Sequence, residues 1–218
     1  GTVHRAIYNK AGVGEKLRKA ILAEVEQSNF TIDEAASVLR RNEINIAVVL
    51  PLAIGEDRYF FSSMWESAKE MALELKKLKV NLQFVGMKND IKEQSKTLAR
   101  IYDENIENIN GLLTIACDEN ETAEWINRYS NRGVPVVLVN TDTKESKRIS
   151  FVAVSYIKAG QLAGEAMCRF LTGKKEKILV LAGEENIYSH REYVKNFEQY
   201  VNNFNPQYEI VKVYGFRT

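Results

Sequence analysis

Catalysis and metal binding need particular side chains at particular spacings, and this 218-residue chain offers few of them. Its two histidines, His4 and His190, are far apart, and neither Cys117 nor Cys168 has a ligand-spaced partner. A zinc site is not expected, and no metal or cofactor is assigned. Asp90, Asp118 and Asp142 lie near the ends of apolar runs, but loop carboxylates are solvated far more often than catalytic. No Gly-x-Ser-x-Gly elbow is present. The segment after Ile44–Leu50, PLAIGEDR, carries one glycine and two acids, so it repels phosphate rather than cradling it. Ala11–Gly14 follows a helical stretch and not a strand, and Gly173-Lys174 lacks the upstream glycine of a phosphate loop. The chain is therefore read as no enzyme. The remaining chemistry is that of binding. The adjacent rings of Phe60 and Phe61 suit the apolar C–H face of a sugar, and Asp118, Asn140 and Asp142 supply acceptors for hydroxyls.

The elements that must position these groups follow from periodicity. From Ile44 onward, short apolar runs alternate with stretches of helical period, as βαβ units feeding a parallel sheet require. The runs are Ile44–Leu50, Val80–Val85, Gly111–Ala116, Val136–Val139, Phe151–Val154, Ile178–Ala182 and Ile210–Tyr214. Phe61, Met64, Trp65, Ala68, Met71, Ala72, Leu75 and Leu78 mark one face of a long helix. Further helices run through Leu98 and Ile101, through Ile126 and Tyr129, through Leu162 to Leu171, and through Val194 to Val201. Right-handed crossovers then demand an α/β fold with a doubly wound parallel sheet. The Phe60-Phe61 pair falls where the first strand gives way to its helix, at the edge where such sheets bind ligands. Residues 1–43 carry no strand; Leu17, Ile21, Leu22 and Val25 form a helical stripe, and Asp33 caps a short helix through Leu39.

Composition limits the partners. Thirty Lys and Arg against 29 Asp and Glu leave a formal charge of +1, so no global charge points to nucleic acid or membrane. No apolar run approaches membrane-spanning length, no signal peptide is visible, and two unpaired cysteines suit a reducing compartment. A cytoplasmic location is expected. The start at Gly1 and the final apolar run with no helix after it are read as incompleteness at both ends.

Residues 1–13, GTVHRAIYNKAGV, resemble the recognition helix and following turn of the lactose-repressor (LacI/GalR) family of transcription regulators. Glu15–Phe30 resembles that family's third helix, and Asp33–Arg41 its hinge helix. The rest resembles the type I periplasmic-binding-protein fold, in its ribose-binding branch. The matching pieces are Tyr59-Phe60-Phe61, Ala116–Glu119, Val139–Asp142, Lys158–Gly164, and Gly183 with Arg191 leading to Phe197. The resemblance implies a partial DNA-binding segment and hinge over 1–43, the first lobe of an effector domain over 44–154, and the start of a second lobe over 155–218.

On that resemblance the chain is a ligand-responsive regulator. Thr2, His4 and Arg5 would contact operator DNA in the major groove, while Leu39, with Arg40 and Arg41 beside it, would wedge into the minor groove. A sugar-like effector would sit among Tyr59, Phe60, Phe61, Asp118, Asn140, Asp142 and Arg191, the arginine reaching across from the second lobe. Two-fold operators imply a homodimer. The alternative is a solute-binding protein for uptake or chemotaxis, with the same fold and cleft.

Overall fold

The structure, a computed structural model, describes residues 2–28, 42–143, 145–185 and 187–215. The expected hinge helix, with Leu39 and Arg40, lies outside them. The chain divides into two compact units, Gly1–Asn42 and Glu43–Thr218.

The first unit contains two helices, α1 (Thr2–Ile7) and α2 (Glu15–Gln27). The turn between them uses left-handed backbone at Gly12, with φ of 92°, which a side chain would strain. Arg18 ties the same turn down by donating to Asn9 Oδ1 and, at 2.8 Å, to the Lys10 carbonyl. Ala6 is buried, whereas Thr2, His4 and Arg5 are exposed, with the His4 ring 4.5 Å from that of Tyr8.

The second unit begins with β1 (Ile44–Pro51) and a 3-10 turn (Gly55–Asp57), followed by α3 (Arg58–Lys77). Then come β2 (Val80–Met87), α4 (Ile91–Asn105), β3 (Gly111–Thr114), α5 (Glu119–Asn131), β4 (Val136–Val139) and β5 (Ser150–Val152). These five strands form one parallel sheet in the order β2-β1-β3-β4-β5. The order reverses between β1 and β3, so crossovers leave the sheet to opposite sides and a crevice opens at the carboxyl ends of those two strands. Val48, Val49, Leu50, Leu112, Val136 and Leu138 are at most 2% exposed and form the centre of the core. The two tryptophans are packing residues: Trp65 lies against Phe84 and donates to the Pro51 carbonyl at 2.7 Å, and Trp125 lies against Tyr102.

The second lobe is smaller: α6 (Tyr156–Phe170), β6 (Lys177–Leu181), α7 (Tyr188–Phe204) and β7 (Glu209–Val213), with β6 and β7 paired in parallel. Cys168, Ile178, Phe197, Val201 and Tyr208 make its core. Gly160 lets α6 and α7 approach closely, since a Cβ there would stand 2.5 Å from the Tyr193 carbonyl oxygen. The other face of the ribbon is open, with Leu179 59%, Leu181 60% and Val213 41% exposed.

Each expected run is a strand, but the third and fifth are shorter than expected. Pairing in β3 stops at Thr114 because Ile115–Cys117 turn out of the ladder into the crevice, and β5 is an exposed edge of three residues. No helix among the described residues is long and apolar enough to cross a membrane.

Candidate ligand-binding cleft

A cleft of about 650 Å³ opens at the carboxyl edge of the five-stranded sheet and is walled on its far side by the second lobe. One wall comes from the loop and turn after β1: Ile54, Glu56, Asp57, Phe60 and Phe61. The floor comes from segments after the other strands: Asn89 after β2, Ile115–Cys117 after β3, and Asn140 with Thr141 after β4. The opposite wall is Tyr156 at the start of α6, with Ile187, Ser189, His190 and Tyr193 at the start of α7.

Local hydrogen bonding fixes these positions. Gln94 is wholly buried; its amide donates to the Ile115 carbonyl at 2.8 Å and its oxygen accepts from the Thr122 hydroxyl at 2.8 Å and the Cys117 N–H at 3.3 Å. Thr141 Oγ1 accepts from the Ala116 N–H at 2.9 Å and donates to its carbonyl at 2.8 Å. The floor backbone is thereby satisfied without the sheet ladder, which is what buried amides require. Asn140 has φ of 63°, a left-handed conformation that asparagine tolerates better than most residues. Asn89 donates to Asp57 Oδ1 at 2.9 Å.

Three of the seven residues expected at the ligand site come together in this cleft: Phe60, Phe61 and Asn140. The two rings meet edge to face at 5.0 Å and divide the work, Phe61 buried at 4% exposure and Phe60 half exposed. The other four have different partners. Tyr59 is 74% exposed and its hydroxyl accepts from Arg58 at 2.6 Å. Asp118 caps α5, accepting from the N–H groups of Asn120 at 2.8 Å and Glu121 at 2.9 Å. Asp142 is buried and forms a two-point ion pair with Arg148, at 2.6 and 2.8 Å. Arg191 pairs with Glu119 across the lobes and donates to the Glu185 carbonyl at 3.2 Å.

Several lining residues were not expected from the sequence: Asp57, Asn89, Tyr156, Ser189, His190 and Tyr193. Helical spacing offered a signal for the last three, because positions 189, 190 and 193 share one face of the first turns of α7. Among the described lining residues the formal charges are the carboxylates of Glu56 and Asp57. The guanidinium groups of Arg148 and Arg191 are held by Asp142 and Glu119. Burial, with Tyr193 and Asp142 nearby, pushes the Tyr156 phenol up to about 12, so it stays protonated and able to donate. No group of three or more histidine, cysteine or acidic residues suited to a metal occurs among the described residues.

A two-lobed α/β unit with a crevice at its topological switch point, lined by aromatic rings, amides, hydroxyls and two carboxylates, has the form of a small-molecule cleft. Residues 46–217 match the periplasmic binding protein domain family, and the chain belongs to that family, one of binding proteins and not of enzymes. No curated protein sequence matches it. Among solved structures it is similar to a glucose-galactose binding protein from Geobacillus stearothermophilus, with 23% identity and a TM-score of 0.66 over 80% of this chain and 59% of that one. It is also similar to an ABC transporter solute binding protein from Mycobacterium smegmatis with bound glycerol, at 20% identity and a TM-score of 0.65, over 78% of this chain and 56% of the other. A third, from Bacillus halodurans with bound myo-inositol, shares 17% identity with a TM-score of 0.67, over 80% and 57% of the two chains. At these identities the likeness is one of fold. The chain spans 56% to 59% of the lengths of these three neighbours. Nothing in these matches points to the lactose-repressor family in particular, and the neighbours named are solute- and sugar-binding proteins.

Proposed function

We propose that Glu43–Thr218 forms a receptor unit for an uncharged sugar or polyol held in the interlobe cleft, serving solute binding. The observation that carries this reading is the cleft itself: the exposed Phe60 face shares it with Asp57, Asn89, Asn140 and Ser189. An aromatic face suits the C–H surface of a sugar while amide, hydroxyl and carboxylate groups bind its hydroxyls. Glycerol and myo-inositol bound to structural neighbours support the ligand class. Two carboxylates in the lining, and arginines already held by other acids, argue against a phosphorylated ligand. Titration calorimetry of the intact protein against D-ribose, D-xylose, D-glucose, D-galactose, D-fructose, myo-inositol and glycerol tests it. Saturable binding of at least one compound, with no binding of D-glucose 6-phosphate, is the expected result; an all-negative panel refutes it.

The helical unit ahead of β1 favours a second reading, a ligand-responsive regulator. Its α1–turn–α2 arrangement leaves Thr2, His4 and Arg5 exposed. In that reading the cleft ligand changes affinity for operator DNA and the protein acts as a homodimer. Duplex binding that weakens steeply with salt, changes on adding the cleft ligand and accompanies a sedimenting dimer would establish it. Its absence leaves the solute-binding role.

A further inference from the structure

Tyr156 sets the wall of the cleft where the chain passes into the second lobe. Its residue exposure is 6%, and its hydroxyl is buried with no hydrogen-bond partner among the described residues. The ring is held on three sides: Tyr193 at 5.1 Å, Tyr188 at 6.4 Å and Phe151 at 6.5 Å. A phenol packed this way has little freedom to seek a partner elsewhere, and a buried polar group left unsatisfied is costly. Phenylalanine would fill the same space without that penalty. The position therefore carries a polar atom that packing does not need, in the wall of a cleft that also holds Asp57, Asn89, Asn140 and Ser189.

We propose that the Tyr156 hydroxyl is a specificity-determining group of the cleft, donating a hydrogen bond to one oxygen of the bound sugar or polyol. This rests on the sugar-binding reading above. Neither the family match nor the neighbours assign the residue a role, and nothing in its local sequence, a serine-capped helix start, marks it. The donor would be permanent, because the phenol keeps its proton throughout the neutral range. It would complement the carboxylate of Asp57 on the opposite wall, which only accepts. A ligand would thus be read at two ends, as acceptor toward Tyr156 and as donor toward Asp57.

The test compares the intact wild-type protein with Tyr156→Phe, using the tightest binder of the sugar panel and analogues of it that each lack one oxygen, deoxy for the hydroxyls and carba for the ring. The variant should bind the parent sugar about three- to ten-fold more weakly, as loss of one neutral hydrogen bond implies. Its unliganded thermal midpoint should stay level or rise, because an unsatisfied buried group is gone. One analogue should bind wild type and variant equally, identifying the oxygen that Tyr156 reads. If every analogue keeps the parent's ratio of wild-type to variant affinity, or if the parent itself binds both proteins equally, the proposal is overturned. A lowered midpoint with unchanged affinity would make the hydroxyl structural and overturn it as well. Wild-type protein that binds nothing on the panel would instead remove the sugar-binding reading on which the proposal stands.

Discussion

Asn140 holds a left-handed backbone position and faces the cleft, so two substitutions separate its roles. Asn140→Gly keeps the conformation and removes the amide; it should leave stability within about 0.5 kcal/mol while weakening sugar binding. Asn140→Ala should weaken binding equally and also lose ~1 kcal/mol of stability, because alanine lacks the short polar side chain that lets asparagine tolerate positive φ. Urea denaturation and calorimetry on the pair read the two effects apart. The ion pair of Asp142 with Arg148 lies off the cleft lining, with side chains 7% and 21% exposed. Arg148→Met strands a buried carboxylate and should cost about 3 kcal/mol in the same denaturation assay, with ligand affinity little changed in the protein that remains folded. These residues also show what the sequence could reveal about the site. Phe60, Phe61 and Asn140 were legible because a strand end in an open sheet says where the ligand edge lies. Asp118, Asp142 and Arg191 lie off the cleft lining, held by partners that leave no mark in periodicity: two helix N–H groups, an arginine six residues on and a glutamate in the other lobe. Tyr156 was hidden for the same reason: its role depends on rings that only the fold brings near it.

At the scale of elements the pattern was far more readable, since burial leaves continuous apolar runs in strands covered on both faces and a helical period in the helices that pack on them. What it did not reveal was where pairing stops. Thr114 ends β3 because Gln94 and Thr141 offer the next residues better-placed partners than a neighbouring strand does. The α6–α7 contact makes a separate prediction. A methyl group at position 160 would meet the Tyr193 carbonyl oxygen at 2.5 Å and Asn196 Cβ at 3.0 Å, atoms that cannot yield without the helices parting. Gly160→Ala should therefore cost about 1–3 kcal/mol despite raising helix propensity, measured as a fall in the urea midpoint. Because Tyr193 sits on the displaced helix and lines the cleft, ligand affinity should fall with it. A fully stable Gly160→Ala protein with native affinity would show that the two helices do not hold the second wall in place.

For the molecule as a whole, two buried phenols set an alkaline limit. Burial pushes Tyr156 up to about 12 and Tyr129, which donates to the Leu98 carbonyl at 2.7 Å, higher still. Tyrosines of the unfolded chain release their protons near 10, so above that pH the unfolded state binds fewer protons than the folded one. The contribution of these two phenols to stability should be flat below about pH 10 and fall as pH rises toward 12, with the last phenolate absorbance appearing only as the fold is lost. Free phenolate signal from all ten tyrosines in still-folded protein would contradict this. The two lobes also differ in what holds them, five paired strands around a deep core against a two-stranded ribbon under two helices. Amide exchange should therefore run faster through β6 and β7 than through β1 and β3. The ribbon's bare side, with Leu179 and Leu181 more than half exposed, bears on how the chain behaves in a concentrated solution. An apolar strip beside strand edges that no other described residue pairs invites copies to stack, so turbidity on warming should depend on concentration, and Leu179→Lys with Leu181→Glu should suppress it without touching the cleft.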